Sequence, residues 1–144
     1  SSRRSADNIV ASSTGSATEV NRLLPGIQFY SNSIRVPVPN GSLAVINMEI
    51  TGELTADDVH EVLKRTTENP QYAGIVGTSE HDLFSGAIIG EPYSSVIDLN
   101  QVRITPHQGR TSVELQAWFD NEWGYANRVK EIAKAMGGHA LGTS

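Results

Sequence analysis

The chain has 144 residues, a formal net charge of −5 and no cysteine. A chain of this length can form one domain with a real hydrophobic core. Its acidic balance provides no basic stripe for phosphate backbones, so we expect no nucleic-acid partner. Its longest apolar runs are about five residues, well short of the ~20 that a membrane span needs, so we expect no membrane insertion. Without cysteine, the chain has neither a disulfide nor a thiol nucleophile.

The first third of the sequence predicts one short helix and two strands. The first dozen residues are rich in serine and arginine and predict an extended or mobile arm. Residues 16–19 (SATE) have the spacing of a capping box and predict a helix over 16–24. Apolar segments at 31–38 and 42–50, separated by Pro39-Asn40-Gly41, predict two strands joined as a hairpin.

The rest of the sequence predicts four strands and two helices. Thr55 begins a helix that ends near Pro70, because proline lacks an amide donor. Further strands are expected at 74–78, 94–99, 102–105 and 111–119, and a last helix at about 125–136. This order predicts an α+β fold, with a mixed, mostly antiparallel sheet covered by helices on one face. We expect a domain over 1–137 and a disordered tail over 138–144. No βαβ unit carries a G-x-G-x-x-G loop, so no dinucleotide-binding domain is expected.

Thr14 and Gly15 form the first candidate site, for an anion. A helix that starts near Ser16 presents unpaired amides and the positive end of its dipole, and Thr14 adds a hydroxyl donor. Gly15 would let an anion approach the backbone closely. The alternative is that the serine and threonine side chains only cap the helix.

Arg35 is the second candidate, because it is a charged residue inside an otherwise apolar predicted strand. Burial of an arginine is costly unless a carboxylate or an anionic ligand meets it. We therefore expect Arg35 to be buried, where it either pairs internally or binds an anion such as phosphate, to which its guanidinium is suited. The pattern alone does not decide between the two.

Asn121, Glu122 and Tyr125 form the third candidate, at the junction between a predicted strand and the last helix. A side-chain amide at a strand end can bind another amide through paired hydrogen bonds, as a nicotinamide carboxamide would require. The alternative is that Asp120 or Asn121 caps the helix and Glu122 complements its dipole.

Four blocks of sequence, in this order, resemble the catalytic domain of the phosphorylating glyceraldehyde-3-phosphate dehydrogenases. They are residues 6–15, 35–40, 94–98 and 118–128, the last reading WFDNEWGYANR. By this resemblance, Thr14 and Gly15 fall on positions that bind inorganic phosphate, and Arg35 falls between the two phosphate pockets. Asn121 falls on the residue that holds the nicotinamide carboxamide, with Tyr125 nearby.

The resemblance implies an incomplete enzyme. Arg3 and Arg4 fall at the end of a loop that, in the family, crosses a subunit interface near the cofactor. The family's Rossmann domain, nucleophilic cysteine and activating histidine have no counterpart in this sequence. We expect no catalytic residue and no metal site, because none of the histidines lies in a matching motif or at ligand spacing; these are His60, His81, His107 and His139.

The function implied by the resemblance is a share in the NAD- or NADP-dependent oxidative phosphorylation of an aldehyde phosphate, with the chain inactive alone. The implied partners are the missing N-terminal half or sister subunits, in a cytoplasmic homotetramer of glycolysis, with phosphate and sugar-phosphate ligands. The chain would be a fragment, or one of two chains of the enzyme. The alternative is a non-enzymatic interaction module that retains the fold and uses its sheet face for assembly.

Overall fold

A computed structural model describes residues 7–140, with side chains through residue 137. The predictions for Arg3 and Arg4 lie outside these residues, as does the tail from 141 onward. The chain divides into two compact units, with the boundary between Pro39 and Asn40. The assignment of 1–137 to one domain and of 138–144 to a disordered tail stays a prediction.

The first unit contains a two-stranded antiparallel sheet and one helix. Strands β1 (Val10–Ser12) and β2 (Ser33–Arg35) pair so that Val10 lies opposite Arg35 and Ser12 opposite Ser33. Helix α1 (Ser16–Leu23) lies between them in sequence. None of residues 7–39 is buried. This unit therefore has no core of its own within the part that the structure describes.

The second unit is built on a five-stranded sheet, in the order β3-β7-β5-β4, with β6 pairing with β7. Only β4 and β5 run parallel, and the other paired strands are antiparallel. The predicted α+β fold with a mixed, mostly antiparallel sheet is thus confirmed. The strands are β3 (Ser42–Thr51), β4 (Val76–Ser79), β5 (Ser95–Asp98), β6 (Arg103–His107) and β7 (Arg110–Phe119).

The predicted hairpin between segments 31–38 and 42–50 is wrong, because the two strands join different sheets. β2 pairs with β1, whereas β3 pairs with β7 over its whole length. Pro37 and Pro39 have no amide hydrogens, so they cannot donate to a continuous ladder. Gly41 does adopt the positive φ of a turn, 89°. Its backbone instead packs against Ser85, whose carbonyl oxygen would lie 2.5 Å from a Cβ at this position.

Two longer helices accompany the sheet. Helix α2 (Ala56–Glu68) begins at a capping box in which the side chains of Thr55 and Asp58 bond each other's backbone amides. Its Val59 packs into the core with Val113 and Leu115 of β7. Helix α3 (Asn121–Ala140) is longer than predicted at both ends.

Thr111 connects β7 to the chain between β3 and α2, and its side chain is fully buried. Its hydroxyl donates to the Gly52 carbonyl at 2.7 Å and accepts from the Leu54 amide at 3.0 Å. We predict that Thr111→Val lowers the free energy of unfolding by about 1–3 kcal/mol, because the Gly52 carbonyl and the Leu54 amide lose a part-buried hydrogen-bond partner. Urea denaturation measures this loss.

The matched control is Thr105→Val, a substitution at an exposed strand position on β6. We expect it to change the unfolding free energy by less than about 0.5 kcal/mol. Equal effects of the two substitutions would show that the Thr111 hydroxyl bonds add nothing to stability.

Candidate functional site

The N-terminus of α1 is exposed to solvent, and its N-cap residue, Gly15, provides no side-chain cap. The predicted capping box at Ser16 is wrong, because Gly15 is the N-cap residue. The Ser16 hydroxyl instead bonds the Ser31 hydroxyl at 2.8 Å, while the Thr14 hydroxyl accepts from the Ser16 amide at 3.3 Å. No atom lies within 4 Å of a Cβ built at Gly15, leaving space directly at the helix mouth. The geometry therefore leaves backbone donors of α1 accessible to an anion.

Arg35 is exposed, so the prediction that it is buried is wrong. Its strand belongs to a two-stranded sheet, and none of the described residues of that unit, 7–39, is buried, so no desolvation requires a partner for the guanidinium. Within residues 7–140, no carboxylate forms a salt bridge with Arg35. Arg35 therefore forms no internal ion pair within the described part of the chain.

The register of β1 and β2 sets the spacing between Arg35 and the α1 mouth. Arg35 lies opposite Val10, four residues before Thr14. At about 3.3 Å per residue, this offset is at most roughly 13 Å along the strand direction. One small anion could contact both groups only if the long arginine side chain spans much of that offset. Two anionic groups of one ligand could meet them separately.

Asn121 and Tyr125 lie on one face of α3, one turn apart. Asn121 is the first residue of the helix and is exposed, and Tyr125 is 72% exposed. Side chains at positions i and i+4 of a helix are neighbours on its surface. The carboxamide of Asn121 and the ring of Tyr125 are therefore both available to a ligand at the start of α3.

Asp120 holds the start of α3 in place. Its carboxylate is 3% exposed and accepts three hydrogen bonds from separate segments. The Trp123 amide donates to Oδ1 at 3.1 Å, which makes Asp120 the N-cap of α3. The Gly90 amide and the Asn40 side-chain amide donate to Oδ2 at 2.9 and 3.1 Å. Of the two residues considered as the helix cap, Asp120 is therefore the one that caps α3, and the Asn121 side chain is not used for capping.

The hydrogen bonds keep the Asp120 carboxylate ionised despite its burial. The Gly90 amide, and after it the Trp123 amide, lowers the pKa of Asp120 below its ordinary value, whereas burial raises it. Hydrogen bonds to the charged form outweigh desolvation here. The charge also lies at the positive end of the α3 dipole, where an anion is favoured.

Two further contacts fix α3 against the chain before β5. A Cβ at Gly124 would lie 2.9 Å from the Tyr93 carbonyl oxygen, so only glycine allows this close approach. Arg128 donates to the Gly74 carbonyl at 3.1 Å and pairs with Glu131 at 2.6 Å. The sequence did not predict these contacts. Its signal in this region is only the group of polar residues that follows β7.

Within residues 7–140, no group of three or more histidine or acidic side chains is placed to hold a metal ion. No helix in that range combines the length and hydrophobicity that crossing a membrane requires.

We predict that Asp120→Asn lowers the free energy of unfolding at neutral pH by about 1–3 kcal/mol, through weaker capping and weaker buried hydrogen bonds. The pKa of Asp120 is lower in the folded chain than in the unfolded chain. Its contribution is therefore complete above the unfolded value of about 3.9 and is lost as the pH falls through the folded value. Urea denaturation at a series of acid pH values should show a shallower acid loss for the variant than for the wild type.

Asp82→Asn is the control, because Asp82 is exposed. We expect it to change stability by less than about 0.5 kcal/mol at neutral pH. Parallel acid profiles for Asp120→Asn and the wild type would contradict the assigned role of the carboxylate.

Comparison with known proteins identifies the family. The chain matches the family model described as glyceraldehyde 3-phosphate dehydrogenase, C-terminal domain, over residues 1–121. It is 38% identical over 136 residues to glyceraldehyde-3-phosphate dehydrogenase of Kitasatospora aureofaciens, covering 93% of this chain and 40% of the relative. It is 39% identical over 133 residues to glyceraldehyde-3-phosphate dehydrogenase 1 of Bacillus subtilis, covering 91% of this chain and 38% of the relative.

A plant relative extends the comparison. The chloroplastic glyceraldehyde-3-phosphate dehydrogenase GAPCP2 of Arabidopsis thaliana is 33% identical over 137 residues, covering 93% of this chain and 31% of the relative. The chain therefore spans 40% or less of the length of these three curated relatives. It belongs to the glyceraldehyde-3-phosphate dehydrogenase family and corresponds to the C-terminal domain of these enzymes.

Proposed function

We propose that this chain contributes phosphate and nicotinamide contacts to a glyceraldehyde-3-phosphate dehydrogenase and supplies no nucleophile. The observation that carries the proposal is the uncapped, open mouth of α1 at Gly15, followed in the same unit by the exposed Arg35. The substrate is an aldehyde phosphate, oxidised and phosphorylated with inorganic phosphate. Family membership supports this chemistry, and because the sequence has no cysteine, the proposal takes the thiolate from a part of the enzyme outside this sequence.

The α1 mouth suits inorganic phosphate. Its first amides and the helix dipole favour an anion, and Gly15 leaves room for oxygen atoms close to the backbone. Thr14 adds a hydroxyl that can donate to a phosphate oxygen, because its present bonds to Ser16 are long, at 3.3 Å. The small, exposed side chains around the mouth present no steric barrier to ligand entry.

Arg35 supplies the positively charged side chain of the proposed phosphate contacts. An exposed guanidinium without a carboxylate partner in residues 7–140 keeps its donors available for bidentate contact with phosphate. Its offset of up to roughly 13 Å from Thr14 suits a role between two phosphate positions, one for inorganic phosphate and one for the substrate.

Asn121 suits the nicotinamide carboxamide, because its own amide offers both a donor and an acceptor at a fixed helix start. Bound NAD or NADP supplies the acceptor for the electrons that leave the aldehyde. Asn121 would orient the nicotinamide ring, with Tyr125 on the same helix face as a neighbouring wall. The Asp120 cap keeps Asn121 in position before any ligand arrives.

Exposed apolar side chains on α3 and β3 support the proposal that this chain binds other protein surfaces. On α3, four large side chains at i, i+4, i+7 and i+11 spacing form a continuous stripe: Tyr125 at 72%, Val129 at 45%, Ile132 at 60% and Met136 at 69% exposure. On β3, Leu43 and Val45 are 42% and 51% exposed. Such faces usually meet another protein surface. The missing N-terminal half and sister subunits of a cytoplasmic, glycolytic homotetramer would cover them.

We predict that inorganic phosphate raises the thermal stability of the chain and that Arg35→Ala weakens this protection. At a phosphate concentration about ten times the dissociation constant, binding adds about 1.4 kcal/mol to the free energy of unfolding. Differential scanning fluorimetry with phosphate, against chloride at equal ionic strength, measures the shift.

Arg65→Ala is the matched control, since Arg65 is an exposed arginine in the last turn of α2 and lies in the second unit. This substitution removes the same positive charge, and phosphate should raise the transition temperature of the variant as much as that of the wild type. An unchanged transition temperature up to millimolar phosphate, or equal losses in both variants, would contradict the phosphate site.

We predict that the chain is inactive alone and that NAD or NADP reduction appears when a polypeptide supplying the rest of the enzyme is added. Asn121→Ala should then lower the rate by at least about tenfold, through loss of ring orientation. Absorbance at the wavelength of the reduced nicotinamide reports the reaction. Asn127→Ala is the control, because its side chain only bonds the Trp123 carbonyl within α3.

The exposed stripe on α3 also favours a second candidate function, a non-enzymatic interaction module that assembles through its apolar faces. The complementation experiment separates the two functions. A folded complex that forms but never reduces the nicotinamide supports the interaction module and removes the enzymatic role. Turnover that depends on Asn121 supports the enzyme.

A further inference from the structure

A cavity of about 480 Å³ lies beside β4 in the second unit, and none of the residues assigned to phosphate or nicotinamide lines it. Its volume falls within the range of small-molecule sites. The end of α2, the strands β4 and β5, and the loop between those strands surround it. Its floor contains the buried side chains of Ile88 and Val96, at 1% and 8% exposure, and Val76, Leu83 and Ala87 are the apolar lining residues that keep more accessible surface.

The cavity has one charged lining residue, Glu91, and no basic one. The Glu91 amide donates to the Ile88 carbonyl at 3.2 Å, which anchors its backbone on the buried floor. In the described part of the chain, the Glu91 carboxylate forms neither a salt bridge nor a side-chain hydrogen bond. A half-buried carboxylate without a partner is a binding group for a cation.

Two of the hydroxyl groups on the wall are already engaged locally. Thr67 donates to the Lys64 carbonyl at 2.7 Å, and the Ser79 hydroxyl bonds the backbone of His81 at 3.1 Å. Thr78 and Tyr93 also line the cavity, and Glu91 is its charged lining residue. The lining thus combines apolar side chains, neutral polar groups and one negative charge.

The wall at Tyr93 is fixed by close packing. A Cβ built at Gly77 would lie 3.3 Å from the Tyr93 ring, so the aromatic side chain lies directly against the β4 backbone. The Tyr93 carbonyl also abuts Gly124 of α3. A rigid aromatic wall next to a carboxylate favours a positively charged group with a hydrocarbon stem.

We propose that this cavity binds an organic cation, an alkylammonium group whose stem packs on Leu83 and Ala87, above the buried Ile88, and whose charge pairs with Glu91. The same chemistry is offered by a free small amine and by a lysine side chain of a polypeptide. The site needs no contact with the phosphate or nicotinamide residues, so it stands independently of the proposed enzymatic role.

Isothermal titration calorimetry of the protein with n-butylammonium and with Nα-acetyl-lysine N-methylamide tests the proposal. We expect saturable binding of at least one of them, and none of n-butanol, which has the same stem without the charge. Tighter binding of the lysine derivative identifies a polypeptide side chain as the ligand, and equal or tighter binding of butylammonium identifies a free amine.

Glu91→Gln should lower the affinity at least about tenfold while retaining the side-chain shape. Ala87→Leu, which fills the cavity without changing charge, should also lower it. Glu53→Gln removes the same charge at an exposed position outside the cavity and should bind like the wild type. Circular dichroism confirms folding of each variant.

Absence of binding by both cations up to roughly 10 mM would overturn the proposal. Equal affinities of the wild type and Glu91→Gln would overturn it as well, because the carboxylate would then have no part in recognition. Unfolding of Ala87→Leu leaves the comparison of Glu91→Gln with Glu53→Gln as the deciding measurement.

Discussion

The second unit depends on one buried carboxylate, that of Asp120. It joins the start of β3 through Asn40, the loop before β5 through Gly90, and the first turn of α3 through Trp123. These partners are far apart in sequence, since Asn40 and Asp120 are separated by 80 positions. A charge that is 3% exposed is tolerated only because donors surround it. The position and direction of α3 thus follow from satisfying this group.

This arrangement separates the structural role of Asp120 from the ligand-binding role proposed for the adjacent Asn121. The Asp120 carboxylate caps α3 and hydrogen-bonds two other segments. Asn121 is therefore not needed as the cap, and its carboxamide remains free at a helix start that is held in place. Gly124 and Arg128 hold the next turn against the segments at Tyr93 and Gly74. A group that must orient a ring gains from such support, because orientation depends on side chains that cannot drift.

Local features of the fold were predictable, and long-range pairings were not. The helix after Thr55 follows from a capping box and apolar spacing, signals that lie within a few residues of each other. The long strand β7 follows from alternation of apolar side chains. The partner of β2 could not be inferred, because pairing between strands depends on contacts that turn residues alone do not encode.

The candidate site was predicted unevenly for a related reason. The position of Asn121 at the strand–helix junction could be predicted, since the junction is a local feature. Arg35 was placed in a buried strand because its neighbours are apolar, yet Ile34 beside it is 65% exposed. Apolar sequence indicates burial only when a core exists nearby, and residues 7–39 contain no buried residue.

The residues proposed for phosphate and the residue proposed for nicotinamide consequently differ in preorganisation. Asn121 is positioned by buried hydrogen bonds within its own unit. Thr14 and Arg35 instead lie on a strand pair of three residues each, and so small a sheet is marginally stable by itself in water. An anion at the α1 mouth must therefore order these groups as it binds, which lowers its affinity. Surface that covers Ile9 and Ile34, at 74% and 65% exposure, would remove that cost. Completion of the enzyme would thus strengthen phosphate binding more than it changes the geometry at Asn121.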